Sequence, residues 1–256
     1  MRSISAALIF GLMLQGAPAY SAVSAHGLYA EGEYAEAISA GEAEGGASGF
    51  ALAARAALAD AELRDVPCLE CLRRAEELAR MAIAANPEHT EAYAFLVTAL
   101  GRRARLIGFF ASQREGIAGQ TDNAIGTALQ LEPSSSVALA LRGAWHIEVV
   151  SQAGRFLGRV LYGARVEEGK RFFREATQLE PENLVINYQY ALSLHGLDFA
   201  GEQPEIETAL EAASSGAPRD AYEGSIRARA EILLNLLQDG MEDAFHEHIM
   251  RYRGEA

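Results

Sequence analysis

A six-residue frame occurring three times constrains this chain most: Ala82-Ile-Ala-Ala-Asn-Pro87, Ala128-Leu-Gln-Leu-Glu-Pro133 and Ala176-Thr-Gln-Leu-Glu-Pro181. Each copy closes one amphipathic run and opens another. Before the third lies Val166 to Leu179, with Phe172, Phe173, Ala176 and Leu179 on its apolar side; after it, Asn183 to His195 carries Val185, Ile186, Tyr190, Leu192 and Leu194. The proline cannot continue the first helix, because it lacks an N–H and its ring clashes with the preceding turn. It is well placed just before a new helix. An alanine, four residues and a proline, repeated between helical runs, mark an internal repeat.

Composition agrees with a helical repeat. Ala, Leu, Glu and Arg dominate the 256 residues, all are good helix formers, and half of the chain is hydrophobic. Runs of alternating Val, Ile and Thr are absent, so no strand is expected. The predicted fold class is all-α, in one domain.

The arrangement resembles the tetratricopeptide repeat (TPR) family, in which each unit is a helical hairpin. Ala82, Ala128 and Ala176 match that family's small position late in the second helix, and Pro87, Pro133 and Pro181 match its turn. Phe173 matches the large apolar position three residues before the alanine; Ile125 and Ala79 match it more weakly. Tyr93 and Leu96 fit the first-helix pattern, with Gly143 and Ala191 at the small position of that helix. The prolines stand 46 and 48 residues apart, against a family unit of about 34. The extra residues must lengthen the first helix of each hairpin or the loop after it. The resemblance implies a right-handed α-solenoid of about five stacked hairpins with elongated first helices. Arg142 to Val150, Leu161-Tyr162-Gly163 and Phe172 to Pro181 are also similar to part of the regulator-of-microtubule-dynamics proteins, themselves TPR-like, which supports the repeat fold only.

The first residues read differently. Arg2 precedes an apolar run, Ile4 to Leu14, followed by small residues ending at Ala19, Ala22 and Ala25. A charged start, a short apolar core and a small-residue cleavage zone describe a secretory signal peptide, with a buried first helix as the competing reading. Residues 1–22 are assigned to it and 23–256 to the helical domain, with the bacterial periplasm as destination. The net charge is −13, one unit more negative without Arg2. That balance argues against nucleic acid and anionic membrane surfaces as partners.

In order, the pattern predicts a degenerate first repeat around Gly32 to Ile38 and a break at Gly45 to Gly49. Helices follow over Phe50–Arg64, Cys68–Ala85, Glu88 to about Arg114 and Thr121–Leu131. Val137–Tyr162 reads as one uninterrupted helix of about 39 Å. After Val166–Leu179 and Asn183–His195 come a loop rich in Gly, Gln and Pro, then helices over Glu205–Ser214, Asp220–Gln238 and Met241–Tyr252.

Cys68 and Cys71 are the sharpest local motif and the only cysteines. An exported chain meets an oxidising compartment, so a short local disulfide is one reading; two packed thiols, or a redox or metal role, are the others. A thioredoxin-like site would need strands, and structural zinc two further ligands. His246 and His248 fall about 200° apart on a helix and cannot share a metal. His146 reads as an interface histidine. No nucleophile triad or phosphate loop stands out, so no catalytic residue, metal or cofactor is expected.

Arginines carry the binding expectation. Arg102, Arg103 and Arg105 share one first helix; on the next, Glu148, Gln152, Arg155 and Arg159 form one polar stripe. In TPR solenoids first helices line the concave groove. Arg102, Arg105, Arg155 and Arg159 are therefore candidates to grip acidic groups or a C-terminal carboxylate, with Trp145 and Tyr162 nearby. The competing reading pairs these arginines with the chain's own surplus of acids. Two functions follow: an exported, non-enzymatic scaffold holding a protein or peptide in its groove, or a small-molecule-binding accessory of a solute transporter. In the second, Phe109, Phe110, Phe156 and Leu157 would help enclose a cavity.

Overall fold

The computed structural model describes residues 24–255, so the signal segment assigned to 1–22 lies outside the described residues. It contains thirteen helices and, among the described residues, no strand. They are α1 (Ala25–Glu31), α2 (Tyr34–Glu44), α3 (Gly46–Leu63), α4 (Leu69–Ala85), α5 (Thr90–Ile107), α6 (Phe109–Arg114) and α7 (Ile117–Leu131), then α8 (Ser136–Tyr162), α9 (Val166–Leu179), α10 (Leu184–His195), α11 (Phe199–Ser215), α12 (Ala221–Gln238) and α13 (Glu242–Arg253).

The three hexapeptide frames build one turn three times. Each helix ends two residues before its proline, and the next begins three residues after it. The backbone N–H groups of Asn86, Glu132 and Glu180 donate to the carbonyls of Ala82, Ala128 and Ala176 at 3.0, 2.9 and 3.1 Å. Orphan carbonyls at the helix ends are thereby satisfied. The three alanines are fully buried, as a close helix crossing requires.

Consecutive helices pack against each other in neighbouring pairs, and a second set of contacts joins alternate ones. The inner helices α1, α3, α5, α8, α10 and α12 each touch the next, and α12 returns to touch α1. The stack therefore closes on itself. α2, α4, α7, α9, α11 and α13 pack outside this cycle, each against an inner neighbour.

Backbones approach closest where glycine removes the side chain. A Cβ built on Gly143 of α8 would lie 2.8 Å from the Gly169 carbonyl and 2.7 Å from the Phe173 ring. Phe173 fills that crossing and stacks on Tyr190 with ring centroids 4.4 Å apart; burying such a ring contributes about 1.5–3 kcal/mol. The expected break at Gly45 to Gly49 is confined to Gly45 and the start of α3. Gly49 lies inside α3, because a Cβ there would sit 2.5 Å from the Gly41 carbonyl of α2. Tertiary contact outweighs the low helix propensity of glycine.

Two long helices of the sequence reading are interrupted. The stretch from Glu88 to Arg114 divides at Gly108, and Val137–Tyr162 bends at Gly154, where φ is 79° and ψ 159°. A side chain at this φ is strongly disfavoured, whereas glycine adopts it freely. The loop expected before Glu205 is instead the start of α11. Phe199 packs on Phe245 with centroids 5.4 Å apart, and Lys170 pairs with Glu202 and Glu205.

Replacing Gly143 or Gly169 by Ala should destabilise the protein by about 1–3 kcal/mol, although alanine is the better helix former. Gly224→Ala in α12, where a Cβ meets nothing within 4 Å, should instead stabilise by about 0.5–1 kcal/mol. Urea midpoints of the three variants check both signs.

Candidate functional site

The inner helices surround a cavity of about 860 Å³. Its wall is largely apolar, with Leu58, Phe95, Leu141 and Val149 among the contributors, and charged groups enter at defined points. Arg55 pairs with Asp220 at 3.1 Å and Arg102 with Glu62 at 2.5 Å; Arg219 holds Glu223. These pairs set the electrostatics of the interior.

Glu62, near the end of α3, is the meeting point of four helices. One carboxylate oxygen accepts from Arg102 of α5 and from the Gln189 amide of α10 at 3.2 Å. The other accepts from the Tyr222 hydroxyl of α12 at 2.7 Å. The Glu62 carbonyl accepts from Arg229 at 3.0 Å. Burial alone would push this carboxyl up, but Arg102 and the Tyr222 hydrogen bond hold it below the usual carboxylate range. The Tyr222 phenol is driven well above its ordinary value, by burial first and by Glu62 next. The carboxylate is thus charged, fully partnered and committed to joining α3, α5, α10 and α12.

Arg105 is different. It lies three residues after Arg102, on the same face of α5, and is nearly as buried. Its nearest acidic oxygen is that of Glu148 on α8, at 3.7 Å, beyond hydrogen-bonding distance. Glu148 is engaged by Arg253, which approaches at 3.3 Å and also donates to the Leu192 carbonyl. Among the described residues Arg105 makes no side-chain hydrogen bond. Burial lowers its pKa from the ordinary value, with Glu148 opposing and Arg253 and Arg102 adding to the shift. A guanidinium has five donors, and this one borders the cavity with Glu148 only at ion-pair distance.

The four arginines expected to share a groove do not. Arg102 and Arg105 line the cavity. Arg155 and Arg159 lie beyond the Gly154 bend, are exposed and have no ion-pair partner among the described residues. The bend breaks the stripe that a straight helix would have carried. Among the four aromatic and aliphatic candidates for the cavity wall, Phe109 contributes, while Phe110, Phe156 and Leu157 face solvent. Trp145 is buried, donating to the Ala118 carbonyl at 3.1 Å, and Tyr162 bonds Gln113. Both also touch the cavity. Arg103 points away to Glu76 and Glu115.

Cys68 and Cys71 are joined by a disulfide at the start of α4. The bond closes a very short loop, so its effect on the unfolded chain is small. Sequence reading missed a histidine pair: His195 Nε2 and His246 Nδ1 are 2.8 Å apart, packed by Phe199 and Phe245. Burial, then the nearby Arg253 and His246, push the His195 imidazole down to about 4. Among the described residues no cluster of three or more His, Cys, Asp or Glu could hold a metal ion, and no helix is long and apolar enough to cross a membrane.

Removing one side of the Glu62–Arg102 pair should be far worse than removing both. Glu62→Leu leaves a buried cation unpaired and should cost about 3–5 kcal/mol. Glu62→Leu combined with Arg102→Leu should recover part of that loss, and urea denaturation of the single and double variants measures it. The His195 shift has a defined sign. Its folded value lies below the unfolded 6.5, so its contribution is complete above pH 6.5 and is lost as pH falls toward 4. His195→Asn should flatten the stability profile in that window, read by thermal melts at stepped pH.

No protein-family model matches the chain, and no curated protein matches it in sequence.

Proposed function

We propose that this protein is an exported, non-enzymatic carrier that holds a small amphiphilic acid inside its closed helical stack, as a binding accessory to a solute transporter. The observation that carries the reading is Arg105: a buried guanidinium on a mostly apolar cavity wall, without a hydrogen bond of its own. Such a group favours a carboxylate, held by two parallel hydrogen bonds, with the apolar wall taking the body of the ligand. A cavity of about 860 Å³ falls in the usual range for small-molecule sites. The partner of Arg102 is already in place, so Arg102 positions the wall and Arg105 does the gripping. Trp145 and Tyr162 add aromatic surface to the same cavity.

We read the stack as TPR-like and right-handed, and its repeated turns and small-residue crossings support the repeat. Export fits the disulfide. Ser24 caps α1, accepting from the Gly27 N–H at 3.1 Å, and Ala25 is fully buried. Cleavage after Ala19 or Ala22 would preserve both, which favours those two positions over Ala25. A second reading rests on the same guanidinium: the acid could be the C-terminal carboxylate of a peptide or protein partner whose last residues enter the cavity.

Dodecanoate and dodecanol separate head-group recognition from apolar filling. Calorimetry should show the acid binding to wild type, and Arg105→Met should weaken it about 10–100-fold, as loss of a charge-assisted hydrogen bond implies. Dodecanol should be unaffected by the substitution. A native mass spectrum without bound ligand, combined with no binding of either probe, would reject carriage. Binding of peptides with a free C-terminus but not of their amides, in the absence of dodecanoate binding, would transfer the site to the second reading.

A further inference from the structure

The segment beyond the Gly154 bend carries a surface feature independent of the cavity ligand. Residues 155–162 turn back so that Gly158 packs on Val150, where a Cβ would already lie 3.3 Å from the valine methyl. The opposite side of this helical tip faces solvent, with Phe156 76%, Val160 62% and Leu161 59% exposed. Phe156 with Val160, and Leu157 with Leu161, stack as i,i+4 pairs, and Arg155 with Arg159 form the adjoining row. The neighbouring α6, tied to the tip by the Gln113–Tyr162 hydrogen bond, adds Phe110, 84% exposed, and Arg114. No acidic residue occurs between Val149 and Val166, or between Ala104 and Arg114, in a chain of net charge −13.

We propose that this cationic, apolar tip docks on an anionic phospholipid surface, with the aromatic and aliphatic side chains entering the interface and the arginines meeting phosphate groups. Apolar side chains beside arginines on one short helix are the chemistry of interfacial binding, and basic residues near an anionic leaflet add to it. A second copy of the chain fits poorly, since two such faces brought together would oppose arginine to arginine. A stable protein interface takes about 20–30 residues a side, far more than this tip presents. The net charge argues against anionic surfaces for the chain as a whole, and Glu115, Glu148, Glu167 and Glu168 border the tip, so the attraction is confined to the tip and its arginines. This placement is relevant to a carrier, because Tyr162 at the end of the tip and Gln113 of α6, which bond each other, both line the cavity.

Vesicle flotation tests the proposal with the full mature chain. Wild type should float with phosphatidylcholine vesicles containing phosphatidylglycerol, remain behind with phosphatidylcholine alone, and lose binding as salt is raised. Phe156→Ser combined with Val160→Ser should weaken flotation roughly ten-fold or more, and Arg155→Ser combined with Arg159→Ser should remove the preference for anionic vesicles. All four positions are exposed, so circular dichroism should show unchanged helix content. Flotation with neither vesicle, equal flotation with both, or unaltered flotation of the Phe156 and Val160 variant would each overturn the proposal. A dimer in solution that dissociates on the same substitutions would also overturn it, by assigning the face to a second copy. None of these readouts involves Arg105 or the cavity probes.

Discussion

A buried carboxylate holds this molecule in its closed form. Glu62 is taken out of water at the end of α3, and an isolated charge in that position would be prohibitively unfavourable. It is tolerated because Arg102, Gln189 and Tyr222 arrive from three other helices to satisfy it. Apolar contact crosses the closure too, where Tyr222 packs on the cluster that holds Ala25 and Tyr29. The polar hub is more demanding, since its geometry is satisfied only when α12 lies back against α3. Apolar packing thus supplies the driving force, and the ionic cluster adds a geometric requirement that the closed arrangement meets. Arg253 plays a related part farther along, joining α13 to Glu148 of α8 and to the Leu192 carbonyl of α10.

The same hub explains why two arginines one turn apart on α5 differ in character. Arg102 has a carboxylate at bonding distance and becomes part of the wall. Arg105 faces Glu148 at 3.7 Å, and Glu148 is drawn off by Arg253. A small difference in where each acid sits gives one cation a close carboxylate partner and leaves the other with its acid only at ion-pair distance. Chemistry that would be invisible in a count of charges follows from this geometry.

The repeat was legible in the sequence because its signal is local. An alanine and a proline five residues apart dictate a helix end, a turn and a helix start, and all three copies build the same hydrogen bonds. Gly108 and Gly154 were not legible as interruptions. Within a helical pattern a glycine carries no mark of whether its φ is positive, and Gly143 and Gly169 sit in regular helix while Gly154 does not. The closure was hidden for another reason: Glu62 meets partners 127, 160 and 167 residues away in sequence, a relation that no short-range pattern encodes. The candidate site was accordingly half visible. Arg102 and Arg105 were identified on one helix, but Arg155 and Arg159 were placed beside them by assuming a straight α8.

Closure also changes what kind of repeat protein this is. An open solenoid can gain or lose a unit at either end, because each hairpin answers only to its neighbours. Here the return of α12 to α1 and α3 fixes the number of units, as a keystone fixes the number of blocks in an arch. Duplicating or deleting one hairpin would leave Glu62 and Tyr222 out of reach of each other, so the architecture trades the modular freedom of an open solenoid for an interior of set size.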